Sequence, residues 1–186
     1  MKIQVSGIGS IYFLDEASFR SDHHSDHSGT TWGKVAETPI VQEHRGRFGI
    51  NCISAITAKG SMRFRCFEGR MNSANFIDFI NYLQKDANEP IYIVADGASY
   101  HSSKQTRSYI DSTKDQVRLY KLPPDSPELN PDEQVWNHAK RKTGKMTLAN
   151  KADMKQAAMR ALRSIQKTTN LIKSFFQLEK TKYAAI

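Results

Sequence analysis

Long apolar runs are missing from this sequence. None approaches the roughly 20 residues that a membrane-spanning helix needs, and the first ten residues lack the apolar core of a secretory signal, so no membrane partner is expected. Cysteine is scarce as well. The two present, Cys52 and Cys66, lie in apolar segments without metal-ligand spacing, which leads to an expectation of buried free thiols in a cytoplasmic protein. There are no internal repeats and no low-complexity segments. At 186 residues the chain can build one substantial α/β core but not two comfortable domains. A hydrophobic content of 39%, with 10% aromatic residues, excludes wholesale disorder.

Acid is scarce in one region only. Residues 134–186 hold 12 Lys+Arg against 2 Asp+Glu, a net of +10, whereas residues 1–133 hold 15 against 17, a net of −2. A basic tail beside a slightly acidic body points to a polyanionic partner, nucleic acid first; the bland alternative is a solvated lysine-rich helix face.

Proline is sparse except in one place. Four of the six prolines (Pro123, Pro124, Pro127 and Pro131) fall within nine residues. Proline fixes φ and lacks an amide donor, so this stretch is neither helix interior nor central strand. A helix follows: Asn130 suits the N-cap, Pro131 the first turn, and Asp132 and Glu133 the positive end of the helix dipole. A stiff loop thus delivers a carboxylate at a helix start.

Upstream, Ile11–Asp15 and Ile91–Asp96 are short apolar strands that each end in an acid. Alternation over 48–57 and 62–66 around Lys59-Gly60 predicts a hairpin. Phe76, Phe79, Ile80 and Leu83 form the buried stripe of a helix capped by Asn72 or Ser73. Further helices are predicted over about 102–112, 132–142 and 150–168, and a strand over 117–121. Residues 21–46 are expected to form a loop, and 171–186 stay undetermined. The element order implies an α/β fold, a mixed central β-sheet flanked by helices. Sites in such sheets form at the carboxyl ends of parallel strands, so Asp15 and Asp96 would share a crevice if their strands are adjacent.

Taken singly, Asp15, Asp96 and Glu133 each have an ordinary structural explanation. Together they would repel one another unless cations lie among them. Mg²⁺ accepts all-oxygen ligand sets and shares its shell with phosphates, and paired ions can hold both oxygens of an in-line phosphoryl displacement. Glu16 should point to the opposite strand face from Asp15. Trp136 should pack the glutamate's helix. His101 is open to two roles, a phosphate contact or a structural hydrogen bond. The cluster Asp22-His23-His24-Ser25-Asp26-His27 lacks the separated ligand pairs of a zinc site and is expected to be a solvated loop.

The stretch Leu122–Trp136, with Ile93–His101 and Phe13–Glu16, resembles the catalytic domain of IS630-type transposases, within the Tc1/mariner group of DDE transposases. Thr31-Trp32-Gly33, Thr38-Pro39 and Glu68–Phe76 add to the likeness, which covers about residues 11–145. The resemblance implies an RNase H-like fold and a DNA-cutting and DNA-joining enzyme. Asp15, Asp96 and Glu133 would be its catalytic and metal-binding acids, holding two Mg²⁺ or Mn²⁺ ions. It further implies action on transposon ends and target DNA, as a homodimer on DNA. The catalytic domain would span 1–146. A basic helical extension, 147–186, would pack on it, with His101, Lys140, Arg141, Lys142, Lys145, Lys151 and Lys155 as DNA contacts. The family's helix-turn-helix module is expected to be absent, since only 14 residues precede Asp15, and a bacterial cytoplasmic, nucleoid-associated location is implied. Three departures stand out: Gly97 replaces an asparagine, Asp125 a tyrosine and Asp132 an apolar residue. A hydrolytic two-metal nuclease without strand transfer and a non-catalytic DNA-binding remnant are the rival readings.

Overall fold

The computed structural model describes residues 9–21, 48–85, 87–144, 146 and 148–185. Of the loop expected over 21–46, all but Ser21 lies outside the described residues, including the histidine cluster and both Trp32-Gly33 and Thr38-Pro39, as does Lys145. Five strands form one sheet in the order β3-β2-β1-β4-β5: β1 (Ser10–Arg20), β2 (Gly49–Ile56), β3 (Met62–Phe67), β4 (Ile91–Ala95) and β5 (Val117–Lys121). The first three run antiparallel to their neighbours, while β1, β4 and β5 are mutually parallel. The mixed sheet therefore matches the expected architecture.

Helices cover both faces. On one side pack α1 (Ser73–Gln84) and α2 (Lys104–Ser112). On the other lie α3 (Glu133–Thr143), α4 (Lys151–Gln166) and α5 (Thr169–Phe175). The predicted stripe of α1 is fully buried, with Phe76, Phe79 and Ile80 at 0% exposure. Each such side chain contributes about 1.5–3 kcal/mol of burial energy. Asn72 caps α1 by accepting the Asn75 amide at 2.9 Å. Strand alternation divides β1 between two cores: Phe13 and Phe19 face the α3–α5 side, and Leu14 faces the α1–α2 side. The undetermined C-terminal stretch forms α5 and a 3-10 turn over Lys182–Ala184, and contributes Phe175, Phe176 and Ala184 to the α3–α5 core.

Two expectations need correction. Asp15 is not at a strand end. Antiparallel pairing with β2 carries β1 on from Phe13↔Ile56 to Arg20↔Gly49, whereas its parallel pairing with β4 stops at Phe13↔Val94. Asp15 therefore lies mid-strand but just past the last residue shared with β4. The cysteines are not free thiols either. The hairpin turns at Gly60, which has φ +88°, and this register sets Cys52 opposite Cys66 with Cα atoms 4.0 Å apart, joined as a disulfide.

Candidate active site

The stiff loop after β5 folds back across the sheet as a short 3-10 turn over Pro127–Leu129 before α3 begins. Asn130 is its anchor. Its side-chain oxygen accepts the Asp132 amide at 3.1 Å, and its side-chain amide donates to the Leu14 carbonyl at 2.9 Å. That carbonyl belongs to the first β1 residue beyond the β4 pairing, so one buried asparagine replaces the missing strand partner and sets the start of α3. The Tyr183 hydroxyl braces the same loop from the C-terminal turn, donating to the Leu129 carbonyl at 2.8 Å. Trp136 is buried and meets Phe19 edge-on at 6.3 Å, fixing the helix against β1.

Asp15 is 8% exposed on the α3 side of the sheet. Burial, then the charges of Glu133 and Glu16, with Asp96 adding less, raise its carboxyl to about 8. One buried acid thus lies in the field of both other predicted ligands. Glu133 occupies the first turn of α3 and is half-buried. Asp96 follows β4 and stands more exposed, with its side chain 56% accessible. The His101 hydrogen bond holds its carboxyl below the usual range, against a smaller opposing effect of burial.

His101 is buried, and both ring nitrogens meet carboxylates: Nδ1 lies 3.1 Å from Asp96 Oδ1, and Nε2 lies 3.1 Å from Glu16 Oε1. Burial alone pulls this imidazole down, but the hydrogen bonds to Asp96 and Glu16 outweigh it and raise it to about 9. Of the two roles left open for His101, the structural hydrogen bond is the one observed; no ring nitrogen is left for a phosphate. Burial, with Glu16, Asp96 and Asp15 nearby, also raises the Tyr100 phenol. Among the described residues, Glu16, Asp96 and His101 are the three acid or histidine groups whose ligand atoms fall within 4.8 Å of one another; Asp15, Asp96 and Glu133 are spread more widely. Glu16 does face away from Asp15, as strand alternation requires, yet reaches Asp96 through His101. The sequence held one signal of this, an acid pair closing the first predicted strand.

The two extra acids of the loop sit in different surroundings. Asp132 is fully buried and accepts the Ser54 hydroxyl at 2.7 Å; burial pushes its carboxyl well up, which favours a neutral acid. Asp125 is exposed at φ +51°, a left-handed position that aspartate tolerates better than most residues. Among the candidate DNA contacts, Lys140 and Arg141 are exposed, and Lys142 is exposed while donating to Ser164 at 2.8 Å. Lys151 pairs with Glu68 at 2.8 Å, and Lys155, half-buried, adds to the positive field around that acid.

A mixed five-stranded sheet in the order β3-β2-β1-β4-β5 with helices on both faces is the architecture of an RNase H-like catalytic domain. The chain belongs to the DDE superfamily endonuclease family, whose model matches residues 10–155, and its relatives are Tc1/mariner-type transposases. It is 28% identical over 134 residues to the transposable element Tc3 transposase of Caenorhabditis elegans, a match covering 68% of this chain and 40% of that one. Its fold is similar to the Mos1 mariner paired end complex with Mg (TM-score 0.61, 11% identity, 94% of this chain and 56% of that one). It is likewise similar to the crystallised catalytic domain of Mos1 mariner transposase (TM-score 0.53, 9% identity, 89% and 81%). The chain therefore spans about half or less of the Tc3 transposase and of the Mos1 chains in complexes.

Proposed function

We propose that this chain is the catalytic portion of an IS630-type DNA transposase, which cleaves phosphodiesters at transposon ends and transfers the strand into target DNA. The observation that carries this reading is the buried Asp15, which lies on the α3 side of the sheet in the field of Glu133, Glu16 and Asp96. A carboxylate held in that field is stabilised by a cation, and an all-oxygen donor set suits Mg²⁺ or Mn²⁺. Asp15, Asp96 and Glu133 would hold the ions, two of them in this reading. Such ions supply an activated water and neutralise charge developing on the phosphoryl group. The chain's own part is to orient: Asn130 aims α3, His101 holds Asp96, and the exposed Lys140 and Arg141 bind phosphates without reading sequence. Action as a homodimer on two DNA ends belongs to the same reading. In support, the similar structures include Mos1 complexes described as paired-end and strand-transfer assemblies, with Mg or Mn in some.

The test is nicking of supercoiled DNA with Mn²⁺ or Mg²⁺, alongside joining of a labelled 3′-OH end. Asp96→Asn and Asp15→Asn should each abolish both; wild-type nicking by either variant would sink the assignment. Nicking without any joined product would leave a hydrolytic nuclease.

A further inference from the structure

We propose that Glu16 and His101 are positioning residues that hold Asp96 so that it presents a single carboxylate oxygen to a divalent cation. This rests on the reading of Asp96 as a metal ligand.

Asp96 Oδ1 accepts the Ala98 amide at 3.0 Å and lies 3.1 Å from His101 Nδ1, which also lies 3.1 Å from the Asp96 backbone carbonyl. Without these donors, so exposed a side chain past the last residue of β4 would sample several rotamers. His101 itself has no room to move. Its ring lies 4.4 Å from the Phe76 ring and 4.6 Å, edge-on, from that of Tyr100, and its backbone amide donates to the Ala98 carbonyl at 3.0 Å.

The far side of the imidazole ends on Glu16 Oε1, one residue beyond Asp15 on β1. The chain of contacts therefore spans β1 and β4 beyond Phe13↔Val94, where backbone pairing no longer ties them together. It sets the spacing of Asp15 and Asp96 through side chains. Outer partners of this kind orient metal-binding carboxylates, and losing them costs about 10–100-fold in metal affinity or activity.

A direct ligand role for Glu16 makes a different prediction, which the conservative variant separates. In Glu16→Gln the amide oxygen still accepts from His101 Nε2, but the anionic cation ligand is gone. The experiment is a Mn²⁺ titration of the full chain without DNA, following free Mn²⁺ by electron paramagnetic resonance, with circular dichroism confirming that each variant folds. Glu16→Ala and His101→Ala should weaken Mn²⁺ binding about 10–100-fold. Glu16→Gln should stay within about threefold of wild type, and His101→Asn, which retains a donor near the position of Nδ1, should recover part of the loss. Wild-type affinity in Glu16→Ala together with lost binding in Asp96→Asn would overturn the positioning role alone. Equal losses in Glu16→Gln and Glu16→Ala would make Glu16 a ligand and also overturn it. Wild-type affinity in Asp96→Asn would remove the reading on which the proposal stands. If His101→Ala does not fold, the two substitutions at the partly exposed Glu16 decide the question.

Discussion

The Asn130 side-chain amide donates to the Leu14 carbonyl at 2.9 Å, across a sequence separation of 116 residues. This bond joins the loop that carries Glu133 to the strand that carries Asp15, and each acid is only one or three residues from its end. Asn130→Ala would leave the buried Leu14 carbonyl and the Asp132 amide without these partners. The expected cost is about 1–3 kcal/mol of stability. Metal-dependent nicking should fall further than stability alone explains at a temperature where the variant is fully folded. Full nicking activity in a folded Asn130→Ala protein would show that the bond serves the fold only.

Ser54 and Asp132 form the second link between sheet and helix start. Ser54→Ala would strand a fully buried carboxyl and should destabilise by about 1–3 kcal/mol. The pair Ser54→Ala with Asp132→Leu removes both partners and should regain most of that loss, as measured by urea denaturation. Asp132→Asn should leave the Mn²⁺ dependence of nicking within about twofold of wild type. A large shift there would make Asp132 part of the metal site.

The raised Asp15 carboxyl gives a pH dependence of definite sign. Between its ordinary value of 3.8 and about 8, the folded chain keeps a proton that the unfolded chain has lost. Stability without metal must therefore fall as pH rises through that window. His101 acts in the same direction: its contribution is complete below 6.5 and is lost as pH rises through about 9. Asp15→Asn removes the first effect. At pH 8 without metal it should raise the melting midpoint by roughly 10 °C or more, since the shift from 3.8 to about 8 corresponds to about 5 kcal/mol and 1 kcal/mol moves a domain of this size by about 2–4 °C. Added Mn²⁺ should stabilise wild type increasingly with pH and the variant much less. An unchanged or lowered midpoint in metal-free Asp15→Asn would contradict the electrostatic account.

These effects also mark what was legible in the residues. The proline loop, the α1 stripe and the apolar strands that carry Asp15 and lead to Asp96 follow from local rules of φ and periodicity, and the mixed character of the sheet follows from the element order. Other features depend on register. Cys52 and Cys66 straddle the Lys59-Gly60 turn almost symmetrically, so the predicted hairpin already contained their pairing, but spacing rules for metal ligands and secreted frameworks pass over a cross-strand pair. The length of β1 was hidden because Glu16, Ser18 and Arg20 read as polar chain while β2 continues to pair with them. Glu16 and His101 were missed as partners because strand alternation tells which face a side chain takes, not what another segment brings to that face. Gly97 is a smaller case. A Cβ there would meet nothing within 4 Å, so no steric demand explains a glycine at this position.

The basic surface can be tested by its salt dependence. Lys140 and Arg141 lie in the last turn of α3, seven and eight residues after Glu133, which places them about 10–12 Å along the helix from the acid site. Phosphate contacts of this kind should contribute a slope of about 0.9 each in log affinity against log salt, irrespective of sequence. The double variant Lys140→Ala/Arg141→Ala should therefore lower the slope by about 2 on unrelated duplexes alike. Lys151 differs, because its ammonium pairs with Glu68. That pair is exposed and therefore weak. Glu68→Gln would release the lysine and should raise the slope by up to about 1 if Lys151 also faces DNA. Fluorescence anisotropy between 50 and 200 mM salt, as in the range where such contacts are read, measures both. An unchanged slope in the Lys140→Ala/Arg141→Ala protein would remove the end of α3 from the DNA surface and direct attention to α4.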